Sequence, residues 1–268
     1  MPDALVVGAV AYTANVVPIW DGLREYFRDT TTPIDFVLFS NYERQVQSLL
    51  DGRIDIAWNT NLAWVRTVKL TDGRCRALAM RDIDLTFRSV FVKRSGDTIA
   101  SLDDLRGRRL ALGSRDSTQA AILPLHFLRQ AGVHDQVTIT RYDRDQGKHG
   151  DTGRSEMDCL RAMLDGEADA TAIGITTWTS LGRDQLMNGV EAFWETPEYC
   201  HCNFTVIDLD AQVAEEWTRN LVAMDWANPE QRRIMEMEGL QRRWVRPQLD
   251  GYGSLFDAVD EQAVPLRW

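Results

Sequence analysis

Residues 34–58, IDFVLFSNYERQVQSLLDGRIDIAW, decide the fold because they contain a strand, a helix and a second strand in that order. The apolar run Ile34–Phe39 predicts a buried strand, and Ser40-Asn41 can cap the helix that follows. The apolar residues of that helix recur at helical spacing and are Tyr42, Val46, Leu49 and Leu50. Gly52 is typical of a helix end, and residues 54–58 predict the next strand. A βαβ unit of this kind predicts parallel strands joined by a right-handed crossover.

The same alternation extends in both directions along the chain. Residues 4–10 predict an earlier strand and residues 16–27 an amphipathic helix, which together complete a βαβαβ unit. A second series of elements is predicted at residues 88–93, 102–105, 109–113, 117–130, 137–142, 155–164 and 168–173. The segments LDGRIDIA (50–57) and LDGEADAT (164–171) also resemble each other. This short repeat supports two related α/β lobes, each with a mainly parallel sheet flanked by helices.

The end of the chain lacks the strands that a third lobe would need. It is expected to run extended from residue 193 to residue 208 and then to form helices at residues 211–224, 229–244 and 255–259. We therefore expect lobe 1 to contain residues 1–90 and 204–268, with the helical tail packed on it, and lobe 2 to contain residues 91–203. Two crossings between lobes predict a hinge. The ligand of such a protein is expected in the cleft between the lobes, at the carboxyl ends of the strands.

The composition is that of a globular protein and argues against two function classes. Acidic residues outnumber basic ones by 40 to 30, a net charge of −10, whereas a nucleic-acid partner needs a basic surface. No run approaches the roughly 20 apolar residues of a membrane span. The apolar run at residues 4–11 is too short for the core of a signal peptide. A cytoplasmic monomer or dimer is expected, or a periplasmic or lipid-anchored extracellular protein if an export signal precedes this sequence.

Two segments of the second lobe predict an anion site. Ser117, Thr118 and Gln119 open a predicted helix directly after a strand, where free N–H groups, the positive end of the helix dipole and two hydroxyls can hold an anion. An ordinary N-cap is the alternative. Lys148 and His149 lie in a glycine-flanked loop and could neutralise an anion or exchange protons near neutral pH. A solvated loop is the alternative there.

Further candidates lie at strand ends and at the first crossover. The residues that follow strands of the first lobe are Tyr12, Asn15, Trp58 and Asn59. Aromatic walls with a few polar groups suit a small organic ligand, although core packing explains Trp58 equally well. Arg88 could bind an anion through two parallel hydrogen bonds, or it could be an ordinary surface arginine.

The segment Cys200-His201-Cys202-Asn203 is the least ordinary in the chain. On an extended backbone Cys200 and Cys202 should point one way and His201 and Asn203 the other, so that His201 or Asn203 could contact a ligand. Two thiols and an imidazole could also bind zinc, iron or copper, and Cys202 could be a nucleophile. Buried thiols that only pack are the alternative, since Cys-x-Cys is not a usual zinc spacing. No cofactor is expected, and all four cysteines are expected to be reduced.

Three stretches, taken in order, resemble one known family. They are NYER (41–44) with LLDGRIDIAW (49–58), DDLRGRRLA (103–111) with DSTQA (116–120) and Pro124, and GKH (147–149) with GEADA (166–170). The chain is similar in these stretches to the type 2 periplasmic binding proteins and, among them, to the phosphate/phosphonate (PhnD-like) substrate-binding family. The resemblance covers residue 6 to about residue 206.

The resemblance implies a two-lobed protein that closes on a small, often oxyanionic ligand and works with an ABC permease. It implies that a Ser-Thr-Ser run at a helix N-terminus binds the ligand, which here is Ser117-Thr118-Gln119, so that an amide replaces the third hydroxyl. Tyr42 matches a tyrosine that lines the family's binding cleft. His149 matches the histidine of the family's Ser-His-Asp stretch, in which Lys148 and Gly150 replace the other two residues.

Two functions are therefore expected as alternatives. The first is a substrate-binding protein for a small polar, anionic molecule of phosphonate or carboxylate type. The second is a cytoplasmic enzyme recruited from this fold, of lyase, decarboxylase or biosynthetic type, that would use His149, His201 and Cys202. Enzymes built on the same architecture exist in this superfamily, and the fold alone does not decide between the two.

Overall fold

The computed structural model describes residues 4–144, 146–183 and 188–267, which divide into two compact α/β units. Unit 1 consists of Met1–Thr86, Cys200–Tyr252 and Pro265–Trp268, and unit 2 of Phe87–Tyr199 and Gly253–Val264. The predicted two-lobed α/β fold class is confirmed. The chain passes from one unit to the other four times rather than twice, because residues 253–264 belong to unit 2.

Unit 1 is built on a five-stranded sheet. The stretch IDFVLFSNYERQVQSLLDGRIDIAW supplies two neighbouring strands in the sequence and the helix between them. Its elements before the first crossing are β1 (Leu5–Val10), α1 (Val16–Phe27), β2 (Ile34–Phe39), α2 (Tyr42–Leu50), β3 (Ile56–Asn59), α3 (Asn61–Leu70), β4 (Arg76–Ala77) and β5 (Met80–Arg81). After the chain returns they are β11 (Asn203–Val206), α7 (Ala211–Val222), α8 (Pro229–Met237) and β12 (Trp244–Val245). The strand order is β2-β1-β3-β11-β4, and β1 is parallel to β2 and β3 as predicted. The late strand β11 is antiparallel to β3 and β4.

An aromatic cluster forms the core of unit 1. The ring of Phe27 stacks on Trp217 with 5.5 Å between centroids, and Phe204 meets Trp217 edge-on at 4.9 Å. Trp20 and Trp244 are also buried in this cluster. The predicted helix at residues 229–244 is too long, because α8 ends at Met237 and residues 244–245 pair with β5. Gly239 has a φ of 88°, a left-handed conformation in which an α-helix cannot continue, so the chain turns there.

Unit 2 is built on a second five-stranded sheet, of order β10-β6-β9-β7-β8. Its elements are β6 (Ser89–Arg94), β7 (Arg109–Leu112), a π-helical turn (Thr118–Ile122) continued by α4 (Leu123–Gln130), β8 (Thr138–Arg141), α5 (Arg154–Leu164), β9 (Ala170–Gly174), α6 (Ile175–Arg183), β10 (Val190–Glu195) and α9 (Gly253–Glu261). Strand β7 is parallel to β8 and β9, whereas β6 is antiparallel to β9 and β10. The sheet of unit 2 is therefore mixed, with two parallel and two antiparallel strand pairs.

Helix α9 packs in unit 2 although it comes at the end of the chain. Glu261 lies 2.6 Å from Nδ1 of the buried His126 on α4. Gln262 donates to the carbonyl oxygen of Ile122 at 2.8 Å, where the π-helical turn ends. This segment was expected in lobe 1. An amphipathic pattern shows that one face of a helix is buried, but it does not show which sheet that face covers.

None of the helices in the described part of the chain combines the length and the apolar character that a bilayer-spanning helix needs.

Candidate functional site

A buried helix N-terminus lies at one edge of the sheet of unit 2. Ser117 caps the helix, and its hydroxyl accepts a hydrogen bond from the Ala120 N–H at 3.2 Å. Ser117 and Thr118 are fully buried and Gln119 is 5% exposed, which is unusual for the polar start of a helix. N–H groups of a first helical turn have no partners within the helix, and they meet the positive end of its dipole. The arrangement can hold an anion without any added charge.

The loop that contains Lys148 and His149 meets this helix N-terminus. Strands β7 and β8 are parallel, so the segments that follow them leave from the same edge of the sheet. The Gly147 N–H donates to Oδ2 of Asp116 at 2.5 Å and so fixes the loop to the residue before the helix cap. A Cβ atom added to Gly150 would lie under 3.0 Å from Ser117 Oγ and from Gln119 Nε2. The structure thus brings together two segments that the sequence analysis proposed separately.

His149 and Lys148 differ in their environments within this loop. His149 is 1% exposed and has a φ of 52°, a left-handed backbone conformation that a non-glycine residue seldom adopts. Lys148 is half-buried. An imidazole held inside unit 2 in a strained backbone conformation is typical of a functional position, since surrounding structure has to stabilise it.

Glu156 is a site residue that the sequence analysis missed. It lies in the first turn of α5 and is 1% exposed. Its carboxylate accepts hydrogen bonds from Gln119 Nε2 at 3.2 Å and from the Gly174 N–H at 3.0 Å. Burial raises the pKa of Glu156, and the hydrogen bonds partly oppose that rise. In the sequence it looks like an ordinary acid at a helix start, so only the contact with Gln119 identifies it.

Several polar atoms around the helix N-terminus are buried and form no hydrogen bond within the described residues. They are Asp116 Oδ1, Gln119 Oε1 and Ser155 Oγ. Buried polar atoms in proteins nearly always have partners, and each exception needs an explanation. A bound polar ligand would supply the missing hydrogen bonds.

Two predicted ligand residues of unit 1, Asn59 and Asn203, are joined in a buried hydrogen-bond chain. Gln45 Nε2 donates to Asn59 Oδ1 at 2.8 Å, and Asn59 Nδ2 donates to the Thr205 hydroxyl at 3.0 Å. Thr205 donates to Asn203 Oδ1 at 2.7 Å, and Asn203 Nδ2 donates to the Tyr252 hydroxyl at 2.8 Å. These contacts give both asparagines a structural role within unit 1.

Replacing Thr205 with valine tests that role. Valine has nearly the same shape but can neither accept from Asn59 nor donate to Asn203, so two buried amides lose a partner. We expect the free energy of unfolding to fall by about 1–3 kcal/mol, measured by urea denaturation. Thr179→Val is the matched control, because the exposed Thr179 hydroxyl donates only to a helix carbonyl. Equal effects of the two changes would contradict the role of the chain.

The aromatic candidates of unit 1 are mostly core residues. Trp58 is 4% exposed and its ring lies 4.5 Å from that of Phe204, so the structure favours the packing alternative. Tyr42 is 1% exposed and packs with Val10 and Val46. Tyr12 is half-buried against the aromatic cluster, and Asn15 is exposed at the N-cap position of α1. Of these, Tyr12 and Asn15 keep side chains at the surface of unit 1.

Arg88 forms an ion pair within unit 2. Its NH1 lies 3.0 Å from Oε2 of Glu195, and both side chains are more than one-third exposed. This geometry matches the alternative of an ordinary surface arginine more closely than that of an anion clamp.

The expected arrangement of the Cys-His-Cys-Asn segment is wrong. Residues 200–202 come before β11 and are not part of a regular strand, so their side chains do not alternate. His201 Nδ1 lies 3.0 Å from Cys202 Sγ, whereas Cys200 Sγ lies 3.2 Å from the Gln248 carbonyl oxygen. Burial raises the pKa of Cys200 to about 11, so its thiol is protonated at neutral pH.

The residues near Cys202 fit an internal ion pair better than a metal ion. Asp84, His201 and Cys202 place ligand atoms within 4.8 Å of one another. However, Asp84 already receives two hydrogen bonds from Arg81, at 2.6 and 2.8 Å. A divalent cation there would face the buried positive charge of Arg81.

Comparison with known proteins agrees with the fold and with the residue pattern. The family described as "ABC transporter, phosphonate, periplasmic substrate-binding protein" matches residues 9–252. A probable ABC transporter phosphite binding protein, PhnD1 of Prochlorococcus marinus (strain MIT 9301), is 25% identical over 232 residues, which are 82% of this chain and 75% of the relative.

Solved structures show the same fold at lower identity. PhnD1 from Prochlorococcus marinus (MIT 9301) in complex with methylphosphonate has a TM-score of 0.74 at 21% identity, covering 98% of this chain and 99% of that one. The periplasmic aliphatic sulphonate binding protein SsuA from Escherichia coli has a TM-score of 0.68 at 17% identity, covering 98% and 94%. The family match extends over most of the chain and includes both units. This chain therefore belongs to the family of periplasmic phosphonate substrate-binding proteins of ABC transporters.

Proposed function

We propose that this chain binds a small phosphonate-type oxyanion at the N-terminus of the helix that begins at Thr118. Ser117, Thr118 and the N–H groups of the first turn hold the oxygens of the anion, and His149 and Lys148 add hydrogen bonds and positive charge. The observation that carries the proposal is the complete burial of two hydroxyl residues at a helix start, beside buried polar atoms that make no hydrogen bond to any residue that the structure describes. The net charge of −10 does not oppose it, because the local dipole and donors act at contact distance.

The partner is the permease of an ABC transporter, since the family is described as the substrate-binding protein of such a transporter. We propose a periplasmic location, since the family is periplasmic, in place of the cytoplasmic location expected from the sequence. The remaining ligand candidates, Tyr12, Asn15 and Tyr42, stay predictions. They would contribute the aromatic and polar contacts that recognise the organic part of the ligand.

The enzyme alternative gains no support from the family match. Nor does a metal gain support, since Asp84 beside His201 and Cys202 already pairs with Arg81. The binding function accounts for the buried helix N-terminus without any reaction.

The double variant Ser117→Ala, Thr118→Ala tests the site. Loss of both hydroxyls should weaken binding of methylphosphonate by at least about 100-fold, measured by isothermal titration calorimetry, because each buried hydrogen bond to a charged group contributes about 1.5–3 kcal/mol. Asn228→Ala is the control, since Asn228 also caps a helix, α8, but lies in unit 1. That change should lower stability and leave affinity unchanged. Unaltered affinity in the double variant would exclude this helix as the site.

A further inference from the structure

Gln119 stands where the family resemblance expects a third hydroxyl. An amide and a hydroxyl differ in how they donate and accept hydrogen bonds. A hydroxyl can rotate to donate or accept, whereas an amide donates only from Nε2, through two N–H groups, and accepts only at Oε1. The protein contacts of these two atoms therefore fix where a ligand meets a donor and where it meets an acceptor.

Glu156 decides the orientation of that amide. Its Oε2 accepts from the Gly174 N–H at 3.0 Å, and its Oε1 accepts from Gln119 Nε2 at 3.2 Å. The Thr177 side chain forms a further hydrogen bond to this carboxylate. Reversing the Gln119 amide would bring its carbonyl oxygen against an ionised carboxylate in a buried place, which is strongly unfavourable. Glu156 therefore holds Gln119 with Nε2 on its carboxylate, and Oε1 is left as the amide atom without a protein partner among the described residues.

The atom left over is an acceptor. Gln119 Oε1 is buried and accepts no hydrogen bond within the described residues, although the residue is only 5% exposed. Asp116 Oδ1, on the residue before the Ser117 cap, is a second buried acceptor that receives no hydrogen bond within the described residues. An anion site normally needs donors, so the unused Gln119 Oε1 beside a helix N-terminus calls for the one hydrogen atom that a singly protonated ligand brings.

We propose that Glu156, through Gln119, makes this site selective for oxyanions that carry a proton, such as a singly ionised phosphonate with one P–OH group. This inference rests on the proposed function. The P–OH group donates to Gln119 Oε1, while the ionised oxygens accept from the helix N-terminus. An oxyanion of the same shape and charge without a hydroxyl, such as a sulfonate, leaves Oε1 unpaired and brings a negative oxygen close to it. Glu156 is a positioning residue in this scheme, since it acts on the ligand through Gln119.

Two ligands of matched shape test the proposal. Methylphosphonate, below its second ionisation, and methanesulfonate are both tetrahedral monoanions and differ in one hydroxyl hydrogen. Isothermal titration calorimetry should give an affinity at least about ten-fold higher for methylphosphonate, the usual effect of leaving a buried acceptor unpaired. The preference should weaken in Glu156→Gln, whose amide allows Gln119 to reverse, and in Gln119→Ser, whose hydroxyl can donate or accept. If the role of Glu156 is purely structural, Glu156→Gln should instead lower the affinity for both ligands equally.

The affinity ratio should also pass through a maximum as pH changes. On the alkaline side, methylphosphonate loses the proton that Gln119 Oε1 accepts. On the acid side, Glu156 takes up a proton, more readily because burial raises its pKa, and can then donate to Gln119 Oε1. The other groups that interact with Glu156 are Asp151, Cys159, Tyr199 and the side chain of Thr177.

The outcomes separate this inference from the proposed function. If neither ligand binds the unchanged protein at any pH, the proposed function fails. If both bind with equal affinity, the site is an oxyanion site and the proton selectivity is overturned. If methylphosphonate is preferred but Glu156→Gln and Gln119→Ser keep the full preference, the assignment to these two residues is overturned. The proposal is supported if the preference for methylphosphonate falls in both variants and if, in Glu156→Gln, the affinity ratio no longer falls at acid pH.

Discussion

Gly150→Ala is expected to abolish binding of methylphosphonate while the protein stays folded. The added methyl group would lie under 3.0 Å from both Ser117 Oγ and Gln119 Nε2, so that it displaces two side chains of the proposed anion site. The affected atoms belong to one loop and one helix start, and the sheet of unit 2 does not depend on them. Calorimetric titration should detect no binding at ligand concentrations that saturate the unchanged protein.

Gly153→Ala is the control for the backbone effect of that change. Gly150 and Gly153 lie in the same loop and have φ values of 88° and 65°, so alanine is strained at both by about 1–2 kcal/mol. A Cβ at Gly153 would have no atom within 4 Å. Gly153→Ala should therefore lower the melting temperature and retain binding. Loss of binding in both variants would mean that loop conformation, and not contact with Ser117 and Gln119, matters.

Asp84→Ala is expected to destabilise unit 1 by about 3–5 kcal/mol, because it leaves the guanidinium of Arg81 without its partner in the interior. Asp84 is fully buried and pairs with Arg81 through two hydrogen bonds, of 2.6 and 2.8 Å. Burial alone would lower the pKa of Arg81, but Asp84 and Cys202 beside it raise that pKa well above its usual value, so the charge persists. Urea denaturation followed by tryptophan fluorescence measures the loss, since the aromatic cluster of unit 1 contains several tryptophans.

Glu215→Ala is the matched control, since Glu215 also pairs with an arginine, Arg246, through two hydrogen bonds. Both of those side chains are more than half exposed, so water replaces the lost contact and little change in stability should follow. A comparable loss of stability in the two variants would contradict the view that burial makes the Arg81–Asp84 pair important.

Local elements were predictable because local signals determine them. Val16–Phe27 and Ile34–Phe39 have the predicted bounds, and Asn41 caps α2 as its position suggested. Strand direction was not predictable from the same signals. Strand β11 pairs with a strand that precedes it by 144 residues (203 − 59), and its antiparallel direction depends on the path of the whole chain. Helix α3 was missed because it is buried on most faces and lacks an amphipathic pattern.

The residues of the candidate site at the helix start and in the loop were predictable from the sequence, whereas the acid that bonds to them was not. Ser117-Thr118-Gln119 and His149 were identified from helix-start chemistry and from the family pattern. Glu156 was not, since its importance comes from a contact with a residue 37 positions earlier, and a single acid at a helix start carries no signal of that contact. Asn59 and Asn203 show the opposite error. Polar residues at strand ends suggested ligand contacts, but their amides are linked through the Thr205 hydroxyl inside unit 1.

The return of α9 to unit 2 has a consequence for any attempt to handle that unit as a separate piece. A gene fragment that encodes residues 87–199 would lack α9 and Gln262, the residue that follows it. Gln262 donates to the carbonyl oxygen of Ile122, at the end of the helical turn that Ser117 caps. Such a fragment would expose the face of α4 around His126 and loosen the back of the anion site. Grafting unit 2 into a sensor or a chimera therefore requires a circularly permuted or split design in which residues 253–264 travel with it. Substitutions in this late segment can also alter ligand affinity without touching the ligand.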